Sequence, residues 1–289
     1  MQQGVIDIGS NTVVLIIYEF SNNKPKVVFH ESSPVHLVGY IENKTMKHEG
    51  IDNTCIVLKH YISIFQEHGV TNYKAFITEP ARNITNKKEM LDAFTNCGVE
   101  VIALTGEEEA TYDYLGSKLI DSSHITTGNA FDIGGGSTEL ISFKDNEILE
   151  AVSIPVGCVR LSKEPIEANI TDNYMKEAFT SYPKLQEVQS DTIIGIGGTA
   201  RATLKLYKHV YNTDFNIMDI HKLIPIYEAL MNQDETMIEQ MKASIDKGRQ
   251  PVYLSGLNML ISIIKAYNAK NIFISEGCVR EGFLISKLS

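Results

Sequence analysis

Two segments of the sequence repeat one pattern, and this duplication constrains the fold more than any other feature. In residues 4–17 and again in residues 129–141, an apolar run carries an aspartate near its end, a glycine-rich turn follows, and a second apolar run returns. The aspartates are Asp7 and Asp132. Short apolar runs on either side of a tight turn predict a β-hairpin. The sequence therefore predicts two similar halves, each with an acid at the end of the first hairpin strand.

The residue types of these turns favour contact with phosphate. Glycine lets a turn bring backbone N–H groups close to a ligand, and clustered N–H donors suit phosphate oxygens. A carboxylate repels phosphate but can hold a divalent cation that binds it. An aspartate can also cap a turn without any ligand, which is the simpler interpretation of each one alone. Because both copies keep the acid, we expect both turns to face one polyphosphate-type ligand.

Composition argues against several other classes of protein. The chain has 289 residues, 43% hydrophobic and 21% charged, which is ordinary for a globular protein with room for two domains. A formal net charge of −10 argues against a general nucleic-acid or membrane-surface binder. No apolar run approaches the ~20 residues of a membrane span, and the N-terminus shows no secretion signal. We therefore expect a cytoplasmic protein.

The four cysteines are scattered along the sequence and form no CxxC pair. This distribution is typical of reduced thiols in a cytosolic protein. A zinc site is not expected, because no ligand spacing supports one.

Strand-like and helix-like segments alternate, which predicts an α/β fold. Besides the hairpins, the patterns predict a strand over about 25–40, and helices from 52 or 53 to 68, over 172–190 and over about 257–268. In the first of these helices, a shared buried face is expected for Ile56, Val57, Tyr61, Ile64 and Phe65. The polar residues 121–129 predict the connection between the two halves.

Glu139 lies seven residues after Asp132, on the returning strand of the second hairpin. The matching position of the first hairpin is Val14. Glu139 is either an exposed strand residue or a second carboxylate that orients water or a metal. We favour the second interpretation, so the two copies are expected to keep one shape and differ in chemistry.

Three consecutive glutamates, residues 107–109, begin a predicted helix. Thr105 followed by Glu108 fits a capping box, and acids in a first helical turn also suit the helix dipole. Helix capping therefore explains Glu108. Glu109 is not needed for the cap and is the better candidate for a general base.

A third glycine-rich segment, residues 195–201, lies between a predicted strand and a helix. Helix N-termini favour anions, although a tight strand-to-helix turn would use the same residues. Five arginines are candidate phosphate ligands because guanidinium groups bind phosphate in a fork: Arg82, Arg160, Arg201, Arg249 and Arg280. Arg82 and Arg280 are favoured because each lies at a turn beside a strand end, where ligands of α/β sheets collect.

Six segments together resemble the Ppx/GppA phosphatase family of exopolyphosphatases and guanosine pentaphosphate phosphohydrolases. They read Asp-Ile-Gly-Ser-Asn from Asp7, Thr-Gly-Glu-Glu-Glu-Ala from Thr105, Asp-Ile-Gly-Gly-Gly-Ser-Thr-Glu from Asp132, Ile-Pro-Val-Gly-Cys-Val-Arg-Leu from Ile154, Gly-Gly-Thr-Ala from Gly197 and Ser-Glu-Gly-Cys-Val-Arg-Glu-Gly from Ser275. The resemblance spans nearly the whole chain. It is to the short two-domain form of the family, within the actin/sugar-kinase/Hsp70 superfamily.

The resemblance implies an α/β fold of two ribonuclease-H-like, actin-like ATPase domains. Mixed five-stranded sheets are expected to flank an interdomain cleft. Residues 1–122 with the C-terminal helix at about 278–289 are expected to form domain I, and residues 123–277 domain II.

The resemblance also implies residue roles. Glu109 is expected to be the general base for the attacking water, while Asp132 and Glu139 position water and Mg²⁺ together with Asp7. The expected phosphate-binding residues are Ser10, Asn11, Thr12, Arg82, Gly134, Gly135, Gly136, Ser137, Gly197, Gly198, Thr199 and Arg280. The expected substrate is inorganic polyphosphate or, as the alternative, guanosine pentaphosphate. A homodimer with no nucleic-acid or membrane partner is expected.

Two departures from the family pattern bear on substrate choice. Residues 78–82 read Thr-Glu-Pro-Ala-Arg where the family has Thr-Ser-Ala-x-Arg, so Glu79 and Pro80 are expected to alter the preferred polyphosphate length. Longer relatives add C-terminal helical domains, and without them processive degradation of long chains is less expected. Two rival functions remain: a superfamily kinase with a sugar or carboxylate acceptor, and a non-catalytic phosphate or nucleotide sensor.

Overall fold

A computed structural model of the chain describes residues 2–21, 24–166 and 168–286. The chain divides into two compact units: unit 1 comprises Met1–Glu109 with Phe283–Ser289, and unit 2 comprises Ala110–Gly282. Each unit contains a mixed β-sheet with helices, which confirms the predicted α/β class. The domain limits proposed from the sequence, 1–122 with about 278–289 and 123–277, stay a prediction.

Strands and helices are numbered in chain order. The strands are β1 (Gln2–Ile8), β2 (Thr12–Ser21), β3 (Lys24–Pro34), β4 (Ile41–Glu42), β5 (Thr45–Met46), β6 (Tyr73–Ile77), β7 (Val101–Ala103), β8 (Gly128–Ile133), β9 (Thr138–Lys144), β10 (Glu147–Ile154), β11 (Thr192–Ile196), β12 (Ile217–Asp219) and β13 (Asn271–Ile274). The α-helices are α1 (His48–Glu67), α2 (Lys87–Asn96), α3 (Gly106–Ile120), α4 (Cys158–Leu161), α5 (Ala168–Ser181), α6 (Gly197–Tyr211), α7 (Ile220–Met231), α8 (Glu235–Ser244), α9 (Gln250–Tyr267) and α10 (Val279–Ser286). Short 3₁₀-helices cover Leu37–Tyr40, Glu79–Ala81 and Pro183–Gln186.

The five-stranded sheet of unit 1 has the order β3-β2-β1-β6-β7. Strand β1 is antiparallel to β2 and parallel to β6, and β6 is parallel to β7. The carboxyl ends of β1, β6 and β7 therefore meet at one edge, which we term the carboxyl edge of unit 1. Ligands of α/β sheets bind outside such edges.

The sheet of unit 2 has the order β10-β9-β8-β11-β13-β12. Its first five strands reproduce the arrangement of unit 1: an antiparallel hairpin and third strand, then parallel strands. The carboxyl ends of β8, β11 and β13 form the carboxyl edge of unit 2. Strand β12 pairs antiparallel with β13 and makes a sixth strand where five were expected. This strand has only three residues, too few for a recognisable alternating pattern.

Each unit has its own hydrophobic core. In unit 1, Leu15 of β2 belongs to a buried cluster with Phe65 of α1 and Phe94 of α2. In unit 2, Phe131 of β8 belongs to one with Leu260 of α9. Full burial of such side chains stabilises a fold by about 1.5–3 kcal/mol each. Each sheet is therefore a stable framework for the loops at its carboxyl edge.

Helix α1 differs in part from its predicted form. It begins at His48, before the predicted start at residue 52 or 53, and it buries Tyr61 and Phe65 as predicted. Ile56, however, is 67% exposed, so its predicted burial was wrong. Leu58, which the pattern left out, is buried instead.

Proline sets three element boundaries that the sequence pattern placed elsewhere. Because proline lacks an amide donor, it suits a strand end or the first turn of a helix but not a helix interior. The predicted strand 25–40 ends at Pro34. The predicted helix 172–190 is α5 followed by a 3₁₀-helix that begins at Pro183. The helix predicted to begin near residue 257 is α9, which already begins at Gln250 with Pro251 in its first turn.

All four cysteines are free thiols. Cys55, Cys158 and Cys278 are buried and Cys97 is partly exposed, so these residues contribute to packing. Among residues 2–21, 24–166 and 168–286, no helix is both long enough and apolar enough to cross a bilayer.

Candidate active site

The two predicted hairpins are present, and their turns have the same geometry. In the first turn (residues 9–12), Gly9 N donates to Thr12 O at 3.0 Å. In the second turn (residues 134–137), Gly134 N donates to Ser137 O, also at 3.0 Å. The register pairs Asp7 with Val14 and Asp132 with Glu139. The predicted correspondence between Val14 and Glu139 is therefore confirmed.

A short helix after the third strand binds the carbonyl oxygens of each turn. In unit 1, Val38 N donates to Ser10 O at 3.0 Å, and His36 N donates to Asn11 O at 2.8 Å. In unit 2, Cys158 N donates to Gly134 O at 2.9 Å, and the next amide, that of residue 159, donates to the carbonyl of residue 135 at 3.0 Å. The amides of residues 10, 11, 135 and 136 donate to no acceptor in the part of the chain that is described. Both turns therefore keep N–H groups for an anion.

The carboxyl edge of unit 1 gathers residues from three loops. The loops after β1 and β6 are joined by the bond from Thr78 N to Ile8 O, at 3.2 Å. The loops after β6 and β7 are joined by the bond from Leu104 N to Ile77 O, at 2.9 Å. Side chains from the first turn, the 3₁₀-helix Glu79–Ala81 and the start of α3 are therefore neighbours.

The most important contact at this edge is an ion pair between Arg82 Nη2 and Glu109 Oε2. Both side chains are mostly buried, at 15% and 12% relative exposure. Arg82 Nε also donates to Leu104 O at 3.4 Å. The structure thus brings together the predicted base and a predicted phosphate ligand within unit 1.

The capping box at the start of α3 is confirmed. Thr105 N donates to Glu108 Oε2 at 2.8 Å, and Glu108 N donates to Thr105 Oγ1 at 3.1 Å. Because Glu108 satisfies the helix end, Glu109 has no role in the cap. Its carboxylate is directed to Arg82 instead.

Glu79, the departure from the family pattern, lies against the first turn. Ser10 Oγ donates to Glu79 Oε2 at 3.2 Å, and Glu79 is only 6% exposed. The hydroxyl of Ser10 is therefore already bonded to a carboxylate. A phosphate at this turn would meet the negative charge of Glu79.

The carboxyl edge of unit 2 has a different acid pair. Glu139 is directly opposite Asp132 across the hairpin and is 1% exposed. Its Oε1 accepts a hydrogen bond of 2.6 Å from Ser153 Oγ, on the neighbouring strand β10. The interpretation of Glu139 as an exposed strand residue is therefore excluded by its burial. Carboxylates on two residues that face each other across a hairpin supply the oxygen donors that a hard cation such as Mg²⁺ prefers.

The first turn of α6 lies against both an acid and an arginine. Gly197 has φ 76°, and a Cβ there would overlap the carboxylate of Asp132. A Cβ on Gly198 would overlap the guanidinium of Arg249. Nothing in the sequence favours Arg249 over the other arginines, because its turn is far from any glycine-rich motif along the chain. Only the fold brings it to Gly198.

Two other predicted phosphate ligands have structural contacts. Thr199 Oγ1 donates to Ile133 O at 2.9 Å and is buried, so this hydroxyl joins α6 to β8. Arg280 lies in the first turn of α10. At the start of this helix, Cys278 N donates to Glu281 Oε2 at 2.9 Å and Val279 N donates to Asp113 Oδ1 at 2.8 Å. The predicted meeting of both edges at one ligand in a cleft stays a prediction.

Two nearby thiols are unsuited to nucleophilic chemistry. Burial raises the pKa of Cys158, which is the first residue of α4 beside the second turn, while the charge of Arg249 opposes that shift. Burial likewise raises the pKa of Cys278. Both thiols therefore remain protonated near neutral pH, and the chemistry of these edges belongs to the carboxylates and the arginines.

Fold and site together define a class: an α/β protein with two sheets of matching strand order, each carrying a glycine-rich turn and an aspartate at its carboxyl edge. The model of the Ppx/GppA phosphatase family matches residues 16–289. The chain belongs to this family, and the resemblance seen in its motifs is confirmed.

Curated relatives match almost the whole chain at low identity. The bifunctional 3-dehydroquinate synthase/phosphatase of Fusobacterium nucleatum is 24% identical, over 96% of this chain and 46% of that protein. The guanosine-5'-triphosphate,3'-diphosphate pyrophosphatase of Pseudoalteromonas atlantica is 23% identical, over 98% and 58%. Exopolyphosphatase 1 of Mycobacterium bovis is 22% identical, over 100% and 88%. The chain thus spans about half the length of the first two relatives and most of the third.

Solved structures support the fold over the full chain. The crystal structure of an exopolyphosphatase from Cytophaga hutchinsonii superposes with a TM-score of 0.86 at 23% identity, covering 100% of this chain and 98% of that one. The Ppx-GppA enzyme of Aquifex aeolicus superposes with a TM-score of 0.78 at 25% identity, covering 99% of both chains.

Proposed function

We propose that this chain is a Mg²⁺-dependent hydrolase that releases the terminal phosphate of inorganic polyphosphate. One observation carries the proposal: each unit has, beside an aspartate, a glycine-rich turn with two amides that donate to no described residue, those of residues 10 and 11 in unit 1 and of residues 135 and 136 in unit 2. Clustered N–H groups bind phosphate oxygens, and the acids suit a cation that binds the same oxygens. Family membership and the relatives named exopolyphosphatase support this choice.

We assign Glu109 as the general base that takes a proton from the attacking water. A base must be ionised and within reach of water, and the guanidinium of Arg82 stabilises the negative charge that this role requires. Guanidinium groups also bind phosphate in a fork. An incoming phosphate therefore competes with Glu109 for Arg82, and the carboxylate becomes available to the water.

In unit 2, we assign phosphate binding to the amides of residues 135 and 136 and to the first turn of α6. Asp132 and Glu139 would hold Mg²⁺, and Asp7 would add a carboxylate in unit 1. The described residues contain no group of three or more ligand side chains, but Mg²⁺ typically uses one or two carboxylates with water and substrate phosphates. When bound, the ion would neutralise charge on the phosphoryl group.

Guanosine pentaphosphate is the alternative substrate, and the name of the Pseudoalteromonas atlantica relative supports it. Polyphosphate is proposed first because the relative named exopolyphosphatase 1 matches this chain over its whole length. A homodimer is proposed from the family resemblance alone, and a cytoplasmic location from the composition and the scattered cysteines.

Phosphate release from a substrate panel tests the function. Tripolyphosphate, long polyphosphate, guanosine pentaphosphate and ATP are each incubated with the protein, with and without Mg²⁺. The expected result is Mg²⁺-dependent release, fastest from a polyphosphate. Transfer of phosphate to a sugar or carboxylate acceptor would instead identify a kinase, and binding without release would identify a sensor.

The base assignment is tested by a pair of adjacent substitutions. Glu109→Gln should lower kcat by about 10²- to 10⁴-fold while the protein still folds and binds substrate. Glu108→Gln is the matched control, because glutamine also completes a capping box and turnover should persist. Near-normal turnover in the Glu109 variant would reject the assignment.

A further inference from the structure

We propose that His36 is a positioning residue that holds Asn11 of the first turn so that its amide nitrogen is presented to phosphate. This inference rests on the proposed function, because it concerns the same turn. The contact that carries it joins residues 25 positions apart in the sequence. Neither the turn motif nor its surroundings in the sequence indicate it.

His36 binds Asn11 at two points. Its backbone N donates to Asn11 O at 2.8 Å, and its ring Nδ1 lies 2.5 Å from Asn11 Oδ1. An amide oxygen only accepts hydrogen bonds, so Nδ1 must carry the proton and donate. With Oδ1 held in this way, Nδ2 of Asn11 points to the opposite side of the Cβ–Cγ bond, and it donates to no described residue.

The backbone of His36 makes this double contact possible. His36 has φ 54° and ψ 43°, the left-handed conformation, at the start of the 3₁₀-helix Leu37–Tyr40. This conformation is uncommon for residues other than glycine, with histidine and asparagine among the enriched exceptions. It turns the chain from β3 towards the first turn and directs both the amide and the ring of His36 to Asn11.

Unit 2 supports the inference through a different residue at the corresponding place. Gly157 immediately precedes α4, the short helix that follows β10, as His36 immediately precedes the 3₁₀-helix that follows β3. A Cβ on Gly157 would lie 2.6 Å from Gly134 O and from the carbonyl of Gly135. The second turn has no side chain to orient, and the backbone of Gly157 packs directly on it. The residue that precedes the short helix therefore contacts the turn in both units, and in unit 1 it does so through its side chain as well as its backbone amide.

Four variants separate positioning from direct binding. His36→Gly keeps the left-handed backbone and removes the ring, whereas His36→Asn keeps that backbone and places an amide nitrogen where Nδ1 was. Asn11→Ala removes the group that is positioned, and the double variant His36→Gly/Asn11→Ala completes the cycle. The control is His60→Asn, which removes a different exposed imidazole of unit 1, one that is hydrogen-bonded to the carboxylate of Glu31.

The kinetic arm measures KM and kcat for tripolyphosphate. His36→Gly should raise KM about three- to tenfold, the usual worth of one hydrogen bond, with little change in kcat. His36→Asn should restore KM to within about twofold, and His36→Gly should have no further effect once Asn11 is alanine. If the KM effects of the two single variants multiplied in the double variant, or if His36→Asn did not restore KM, the inference would be overturned. Either result would indicate that His36 binds phosphate directly.

A spectroscopic arm does not depend on hydrolysis. With ¹⁵N-labelled asparagine, the side-chain amide resonance that disappears in Asn11→Ala belongs to Asn11. It should shift in His36→Gly, return in His36→Asn, and stay in place in His60→Asn. An unshifted resonance in His36→Gly would overturn the positioning role whether or not the protein hydrolyses polyphosphate, whereas an inactive wild type would refute only the proposed function.

Discussion

The first and second turns have the same backbone and opposite chemical surroundings. Both close with a 3.0 Å bond from a glycine amide, and both have carbonyl oxygens bound by the helix that follows the third strand. The first turn, however, carries polar side chains that contact His36 and Glu79. The second is mostly glycine and has the paired acids Asp132 and Glu139 across its hairpin.

This difference shows which part of a duplicated motif is free to diverge. The hydrogen bonds that shape each turn join backbone atoms, so they are kept whichever side chains are present. Position 14 is valine and position 139 glutamate, although both lie opposite the hairpin aspartate. We expect the acids of the second hairpin to bind the cation. In unit 1, we expect Arg82 to bind phosphate and Glu109 to act as the base.

The largest effect on turnover is expected when Glu139 of the second hairpin is replaced by valine, the residue at the matching position of the first hairpin. Glu139→Val should lower kcat by about 10²-fold or more, because it removes a carboxylate beside Asp132 where charge develops in the reaction. Glu139→Gln is the shape control: it still accepts the hydrogen bond from Ser153, yet it should also lose Mg²⁺-stimulated turnover. Phosphate release measured against Mg²⁺ concentration checks both variants. If Glu139→Val turns over normally, the two hairpins do not differ in function.

The next effect tests the backbone contact that is particular to unit 2. Gly157→Ala places a Cβ 2.6 Å from backbone atoms of the second turn, so we expect a loss of about 1–3 kcal/mol in unfolding free energy. Gly39→Ala is the matched control beside the first turn, since a Cβ there meets no heavy atom within 4 Å. Thermal and denaturant unfolding of both variants provide the measurement. Equal stability of the two would show that the second turn tolerates displacement.

A smaller effect concerns the charge beside the first turn. Glu79→Gln should lower KM for tripolyphosphate about fivefold or more, because a unit charge about 4 Å from phosphate contributes about 1 kcal/mol even in bulk water. The gain should shrink only slightly as salt is added, because the carboxylate is buried. Glu100→Gln, an exposed acid just before β7 and so at the opposite end of the sheet, is the control. An unchanged or raised KM would remove Glu79 from the determinants of specificity.

The smallest effect is expected at Cys158, beside the second turn. Because burial raises the pKa of this thiol, it stays protonated at neutral pH and reacts slowly with iodoacetamide. The partly exposed Cys97 should be labelled first, with turnover retained. Mass spectrometry of the labelled peptides at pH 7 gives the order of reaction. Early labelling of Cys158 would show that α4 separates readily from the second turn.

Local sequence patterns were enough to predict the parts of the site that depend on neighbours in the chain. The glycine turns, the correspondence of Val14 with Glu139, and the cap between Thr105 and Glu108 all rest on spacings of a few residues. The α/β class followed from the alternation of elements, and the motif resemblance identified the family.

Contacts between distant segments were missed for a physical reason. The bond from His36 to Asn11 depends on a left-handed residue after β3, and the approach of Arg249 to Gly198 depends on how α9 packs. Ile56 fits an apolar stripe but faces water, because the packing of α1 rather than its periodicity decides which stripe is buried. No short spacing in the sequence encodes these arrangements.

The adjacent glutamates at the start of α3 have a consequence for how this family diverges. Glu108 caps its own helix through Thr105 and Glu109 pairs with Arg82, so one carboxylate supports folding while its neighbour is the base that we propose. A library of all substitutions at the two positions, sorted once for soluble expression and once for activity, should give two nearly independent profiles. Selection for thermostability would then act on one codon, and selection for turnover on the codon next to it.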